Sequence, residues 1–299
     1  MRLALIAIQL EVDAAIVATG DTYRAAIERA VARAVAVAGA VDARLVVMPE
    51  LTGHLALFAL ASARAKRAKT FGAALAGAAL RRPLDVLRGV ATTRLLDGRH
   101  ALLAALAPDG ERWWKSLFGP LALRHAAYVV AGSHLRLGND GGLTNASMLF
   151  GPDGRLVMTT DKINLVPGFE DGSPGALHLA RGDEHALPIA DTSAGTVATL
   201  IGYDAHVEPR SPHERFIALG PIAAGKGATL IANPVADRVG DARVAAALPF
   251  APHAVCAQLV GGVLDLAFAG RSRVLAAGQV IAEAASDRRA GEVVAIVDR

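Results

Sequence analysis

Cysteine is almost missing: Cys256 is the single one among 299 residues. No disulfide can close within the chain, which suits a reducing compartment. Long apolar runs are missing too. No stretch of about 18 apolar residues occurs, so no spanning helix is expected. The opening MRLALIAIQLEVDA has one basic residue and no long apolar core before a small-residue cleavage site, so it is not read as a signal peptide, and the expected location is cytoplasmic. Aromatic residues make up 4%, and no aromatic-and-basic RNA motif accompanies the mild basicity, so nucleic acid is not an expected partner. There is no GxxxxGK[ST] loop, no Rossmann GxGxxG and no Cys/His cluster; neither cofactor nor metal is expected. No Pro-, Ser- or Gly-rich linker divides the chain, and no short-period repeat runs through it.

What is present is a large apolar fraction, 53%, against 20% charged. That is enough for a sizeable buried core and argues against disorder. Lys and Arg number 31 and Asp and Glu 28, a formal charge of only +3. The richness in Ala, Arg, Val and Gly suggests a bacterial, high-GC gene.

The pattern predicts strands at 2–10, 44–49, 127–134, 144–150, 155–160, 197–202 and 227–233, with Pro152-Asp153-Gly154 as a hairpin turn. Four short strands are expected within 253–299. Residues 21–40 read as an amphipathic helix capped by Asp21 or Thr22, and another helix is expected near 212–225. Residues 54–125 read as mostly helical. Its basic helices at 64–88 are expected to present a solvated face; peripheral membrane contact is the less favoured reading. The order suggests two mixed sheets with helices on their outer faces, in one α/β domain spanning 1–299.

Four segments carry chemistry-bearing residues at strand ends, where α/β sheets gather ligands. Glu50 closes VVMPE. Lys162 follows a strand, and Glu170 stands eight residues on, in KINLVPGFED. Gly202-Tyr203-Asp204 closes VATLIGYD. A strand–turn–strand follows over 268–284, turning at Gly278. His206, Glu208, His213 and Glu214 cluster in sequence, but their spacing fits no helical HxxxH pair, and a solvated loop is the expectation.

In this order the segments resemble the nitrilase superfamily of carbon–nitrogen hydrolases, over nearly the whole chain. Gly132-Ser133, Asn145 and Pro152-Asp153-Gly154 match smaller features of that family. The resemblance implies a four-layer αββα sandwich, a homo-oligomer and a small amide or nitrile as substrate. It implies Glu50 as general base, Lys162 as oxyanion stabiliser helped by the backbone N–H of Tyr203, and Glu170 as orienting group. Asp204 and His206 become candidates for substrate binding. The family's nucleophilic cysteine falls on Gly202, which has no side chain. Cys256 lies in the apolar run HAVCAQLV and reads as a small core residue.

Other departures follow. His206-Val207-Glu208-Pro209 replaces the family's Arg-Phe-Pro-Glu, Gln258 stands where Asn is frequent, and the helical region at about 54–125 is enlarged. Three readings stay open: a hydrolase that uses water directly, a non-catalytic subunit that binds or scaffolds a partner, or a glycine substituted for a natural cysteine in an ordinary amidase or nitrilase.

Overall fold

The structure, a computed structural model, describes residues 1–237 and 250–298. In chain order its elements are β1 (Arg2–Val12), α1 (Gly20–Ala38), β2 (Ala43–Val47), α2 (Thr52–Ala59), α3 (Ala63–Lys66), α4 (Phe71–Ala79), α5 (Pro83–Thr93), α6 (Gly98–His125), β3 (Tyr128–Val130), β4 (His134–Leu137), β5 (Leu143–Phe150), β6 (Leu156–Asp161), β7 (Ile189–Thr192), β8 (Gly195–Thr199), α7 (Leu219–Gly225), β9 (Leu230–Val235), β10 (His253–Val263), β11 (Leu266–Phe268), β12 (Arg273–Ala276), β13 (Gln279–Glu283) and β14 (Gly291–Asp298).

The alternation of side chains along the strands shows how the layers form. In β1, Ala4, Ile6 and Ile8 pack with Tyr23, Ile27 and Val31 of α1 and with Trp114 and Phe118 of α6. Their neighbours Leu3, Leu5 and Ala7 face the other way, onto Val197 of β8, Leu230 and Ala232 of β9, and Val255 and Ala257 of β10. On the far side of that second group of strands, Ile231, Ala254 and Cys256 pack with Leu219 and Ala223 of α7. Period-two alternation in strands buried on both faces thus yields helix, sheet, sheet and helix layers.

The first sheet runs β6-β5-β3-β2-β1-β14, with β4 paired to β5 beyond β3, and the second runs β7-β8-β9-β10-β12-β13. β1 is long enough to serve both: Leu3–Ala7 pair with β2, and Leu10–Val12 pair with β10.

Several expectations are refined. The run 127–134 forms two short strands, β3 and β4, because one extra residue enters between the pairs Val130–Leu149 and His134–Ala146. This is a bulge at Gly132, whose φ of 70° a side chain would oppose. α1 is capped by Thr19, with Thr22 completing a reciprocal box. The predicted helix at 212–225 shrinks to α7, the described residues of 253–299 hold five strands rather than four, and β7 was not anticipated. Residues 52–125 form five helices, α2–α6, in agreement with the helical reading of 54–125. Cys256 is buried in the core, where burial pushes its thiol up to about 12, so it stays a thiol at neutral pH.

Candidate active site

Chain ends of β2, β6, β8 and β9 converge on a cavity of about 210 Å³ lined by Glu50, Lys162, Glu170, Gly202, Tyr203 and Asp237, among others. The cavity is smaller than the roughly 300–1,000 Å³ typical of drug-sized sites, so it suits a compound of few heavy atoms.

Glu50 is set by a tight backbone clasp. Leu51 follows it at a left-handed φ of 61°. The Leu51 N–H donates to Ser133 Oγ at 3.0 Å and the Gly53 N–H to the Ser133 carbonyl at 2.7 Å. A side chain on Gly132 would collide with the Pro49 carbonyl. Gly132-Ser133 therefore form the mould that fixes the Glu50 turn.

Lys162 directly follows β6 and is fully buried. Its ammonium donates to Glu50 Oε1 and to Glu170 Oε2, both at 2.7 Å. An ammonium has three N–H donors, so one remains for a cavity ligand. Asn145 Nδ2 reaches both carboxylates, at 3.1 Å to Glu50 Oε1 and 2.9 Å to Glu170 Oε1. Glu170 Oε2 also accepts from the Val166 N–H at 2.8 Å.

These contacts drive the two carboxyls apart. Burial alone would raise both. For Glu170 the Lys162 ammonium and the Val166 and Asn145 hydrogen bonds outweigh burial and hold it below the usual range. For Glu50 burial wins over Lys162, and the neighbouring Glu170 charge adds to the rise. Burial pulls Lys162 down, but the two carboxylates outweigh it and keep the ammonium charged. A Glu170 held below the usual carboxylate range beside a raised Glu50 is an anchor–base pairing set by environment.

Gly202 lies beyond β8 in a short 3-10 turn, Gly202–Ala205, with φ of 49°. A Cβ built there would collide with Glu50 Oε2. The second oxygen of Glu50 thus occupies the space beside Gly202 that a cysteine side chain would enter.

The other sequence candidates divide. Tyr203 lines the cavity. Its hydroxyl donates to Glu214 Oε2 at 2.5 Å and accepts from the Arg210 N–H at 2.7 Å. Asp204 and His206 do not line the cavity. Asp204 is buried and accepts from the N–H groups of Ile163 at 3.2 Å and Asn164 at 2.6 Å, so it braces the turn that carries Lys162. The 3-10 turn is the reason: the strand stops at Thr199, and strand alternation no longer governs where Asp204 points. His206 packs edge-on against the Tyr203 ring at 4.8 Å. Glu214 is the partner of Tyr203, and among the described residues no three His, Cys, Asp or Glu side chains gather as a metal site.

Three further residues contribute, of which the sequence marks only Asn145, as a family feature without a role. Asn145 bridges the carboxylates, and Arg210 and Asp237 form part of the wall. Asp237 accepts from Gln258 Nε2 at 2.9 Å, which gives the Gln258 departure a structural purpose.

Burial pushes the Asp204 carboxyl up to about 7, despite the backbone N–H groups and Lys162 that favour its charge. A carboxyl raised on folding binds its proton more tightly in the native state, so its stability contribution is present below about pH 4 and is lost as pH rises towards 7. The melting temperature is expected to fall between pH 5 and pH 7.5. Asp204→Asn should flatten that slope, and an unchanged slope in thermal melts across this range would refute the assignment.

Comparison with known proteins gives a structural answer and no sequence answer. No family model and no curated protein matches the sequence. Among solved structures, an amidase from Nesterenkonia sp. AN1 bearing acrylamide on its active-site cysteine is 17% identical, with TM-score 0.63, covering 100% of this chain and 93% of that one. A variant of the same amidase in complex with butyramide is also 17% identical, with TM-score 0.63 over 99% and 90% of the two chains. Saccharomyces cerevisiae Nit3, a member of branch 10 of the nitrilase superfamily, gives 17%, 0.61, 99% and 90%. The chain therefore has the mixed α/β fold of nitrilase-superfamily structures over its full length.

Proposed function

We propose that this chain is a carbon–nitrogen hydrolase relative that hydrolyses a small amide or nitrile-type compound with a water nucleophile, without a covalent enzyme intermediate. One observation carries the reading. Glu50, Lys162, Glu170 and Asn145 form one hydrogen-bonded set, while Glu50 Oε2 reaches into the space a thiol would need.

For an amide, a water held at Glu50 Oε2 attacks the carbonyl carbon as Glu50 takes one of its protons. The carbonyl electrons move onto oxygen, and the third N–H of Lys162 with the Tyr203 backbone N–H are the donors for that oxyanion. On collapse the C–N bond breaks and Glu50 returns the proton to the leaving nitrogen. Products are a carboxylic acid and ammonia or an amine, which at neutral pH end as carboxylate and ammonium once the acid's proton passes to the nitrogen base. Glu170 keeps Lys162 charged and aimed throughout.

The test is intact-protein mass spectrometry during turnover of an amide and nitrile panel, on this chain and on Gly202→Cys. This chain is expected to release ammonia with its mass unchanged. Gly202→Cys is expected to be slower and to acquire no adduct. Its side chain would meet Glu50 and would hold a left-handed backbone that disfavours a Cβ by about 1–2 kcal/mol. Turnover and an acyl adduct only in Gly202→Cys would mean a disabled thiol enzyme. Silence from both would mean that the set does not catalyse hydrolysis.

A further inference from the structure

α5 is pinned to α6 by Gly89, since any Cβ there would run into the Ala101 carbonyl. That close approach fixes which face of α5 turns outward. Leu84 and Leu87, three residues apart and therefore on one face, are 79% and 65% exposed, and Leu80 and Leu96 beside them are 85% and 92% exposed. Leu80, Leu87 and Leu96 line one open groove of about 720 Å³ with Ala79, Pro83 and Val86. Two of the leucines lie on α5, while Leu80 ends α4 and Leu96 precedes α6, so chain segments from three places bring exposed leucines to one patch, which scattered surface residues do not do.

The charges around them are one-sided. Residues 63–99 hold nine Lys and Arg and two Asp, a formal +7 in a chain of +3, so the rest of the protein carries −4. Arg81, Arg82, Arg88 and Arg94 are exposed beside the leucines, and Arg64 and Arg67 are exposed on and just after α3.

We propose that α3–α5 form a docking face for an anionic lipid surface, with Leu80, Leu84, Leu87 and Leu96 entering the headgroup–acyl boundary and the arginines meeting lipid phosphates. The charge selects this occupant. A second copy of the chain would bring two faces of formal +7 together. Asp85 is the one acidic side chain that pairs with these arginines among the described residues, at 3.3 Å from Arg82 and 3.8 Å from Arg88, so a neutral apolar partner would leave the face's excess positive charge unmatched. Among the described residues no helix is long and apolar enough to cross a membrane, so the contact is peripheral. α4 starts beside the active-site cavity, where the Phe71 N–H donates to Asp265 Oδ1 at 2.7 Å, next to the cavity-lining Leu266. It ends at the leucines, roughly 14 Å on at 1.5 Å per residue.

Flotation of the full chain with vesicles tests this. The protein is expected to float with phosphatidylcholine vesicles containing phosphatidylglycerol, to stay behind with phosphatidylcholine alone, and to detach as salt rises. The triple variant Leu80→Ser, Leu84→Ser, Leu87→Ser and the triple variant Arg81→Gln, Arg82→Gln, Arg88→Gln should each lower partitioning about tenfold or more. Because all six side chains are exposed, the melting temperature should hold. No flotation of the unaltered chain at low salt would overturn the proposal, as would flotation that neither variant weakens. A dimer that the leucine variant dissociates, without vesicle binding, would assign the face to self-association and overturn it too.

Discussion

Glu50→Gln is expected to lower kcat by about a thousandfold, within the roughly 10²–10⁴-fold that a positioned general base contributes, while leaving the fold in place. Glutamine has the same shape, and its Oε1 can still accept from Lys162 and from Asn145 as Glu50 Oε1 does at 2.7 and 3.1 Å. Its nitrogen then takes the place of Oε2, the atom turned towards Gly202, and cannot accept a proton from water. Lys162 keeps Glu170 as counter-charge at 2.7 Å. Stability should therefore hold or rise, because one of two neighbouring buried carboxylates has become neutral. The pH profile separates this from a structural effect. Burial raises the Glu50 carboxyl, so kcat in the unaltered protein should climb with pH along a limb lying above the ordinary carboxylate range, as the base loses its proton. Glu50→Gln should lose that limb along with the rate. A variant that keeps more than a tenth of kcat, or the same limb, would remove Glu50 from the role of base.

The same residue shows what a sequence can reveal about such a site. Glu50 and Lys162 were legible because each stands just past an apolar, strand-like run, and strand ends in layered α/β folds point to one edge; Glu170, in the loop after β6, was legible only through the family resemblance of its segment. The core was legible for a related reason: alternation in β1 and β2 sends Leu3 and Leu45 to one face and Ala4 and Val46 to the other.

The misplacements share a cause. They fall where the backbone leaves a regular period. Asp204 is a substrate-binding candidate through the family resemblance, and it would share the side of Gly202 only if the strand ran on; the chain instead coils after Thr199 and hands Asp204 to the Ile163 and Asn164 amides. The run 127–134 looked like one strand because a one-residue bulge leaves no mark in hydropathy. Asn145 sits inside an apolar strand, where no local pattern announces that its amide joins two carboxylates 95 and 25 residues away. The four outward leucines of α4–α6 were also hidden. Which face of α5 meets α6 is decided by Gly89 against Ala101, a long-range approach that composition does not encode.

Lys162→Met should be the most destabilising single change in the site. Lys162 is fully buried, and Glu50 and Glu170 beside it are 6% and 1% exposed. Both carboxylates depend on the one ammonium, and among the described residues Asn145 supplies the only other side-chain donor that reaches both. Removing the charged member of a buried network leaves uncompensated charge, a loss of about 3–5 kcal/mol, far above the 0–1 kcal/mol of a surface pair. Methionine keeps the length and apolar stem, so the loss reports charge and not a cavity. Two further measurements identify that origin. The deficit should shrink as pH falls towards 5, because without the ammonium both carboxyls rise and protonate; a simple packing defect would cost the same at every pH. Adding Glu170→Gln to Lys162→Met should recover more than half of the loss, since only one buried carboxylate then remains, and the two sites are in contact and so non-additive. Denaturant titrations of the single and double variants at pH 5 and pH 8 decide it. A pH-independent loss, or strict additivity of the two changes, would mean that Lys162 fills space between the carboxylates and does not hold their charge.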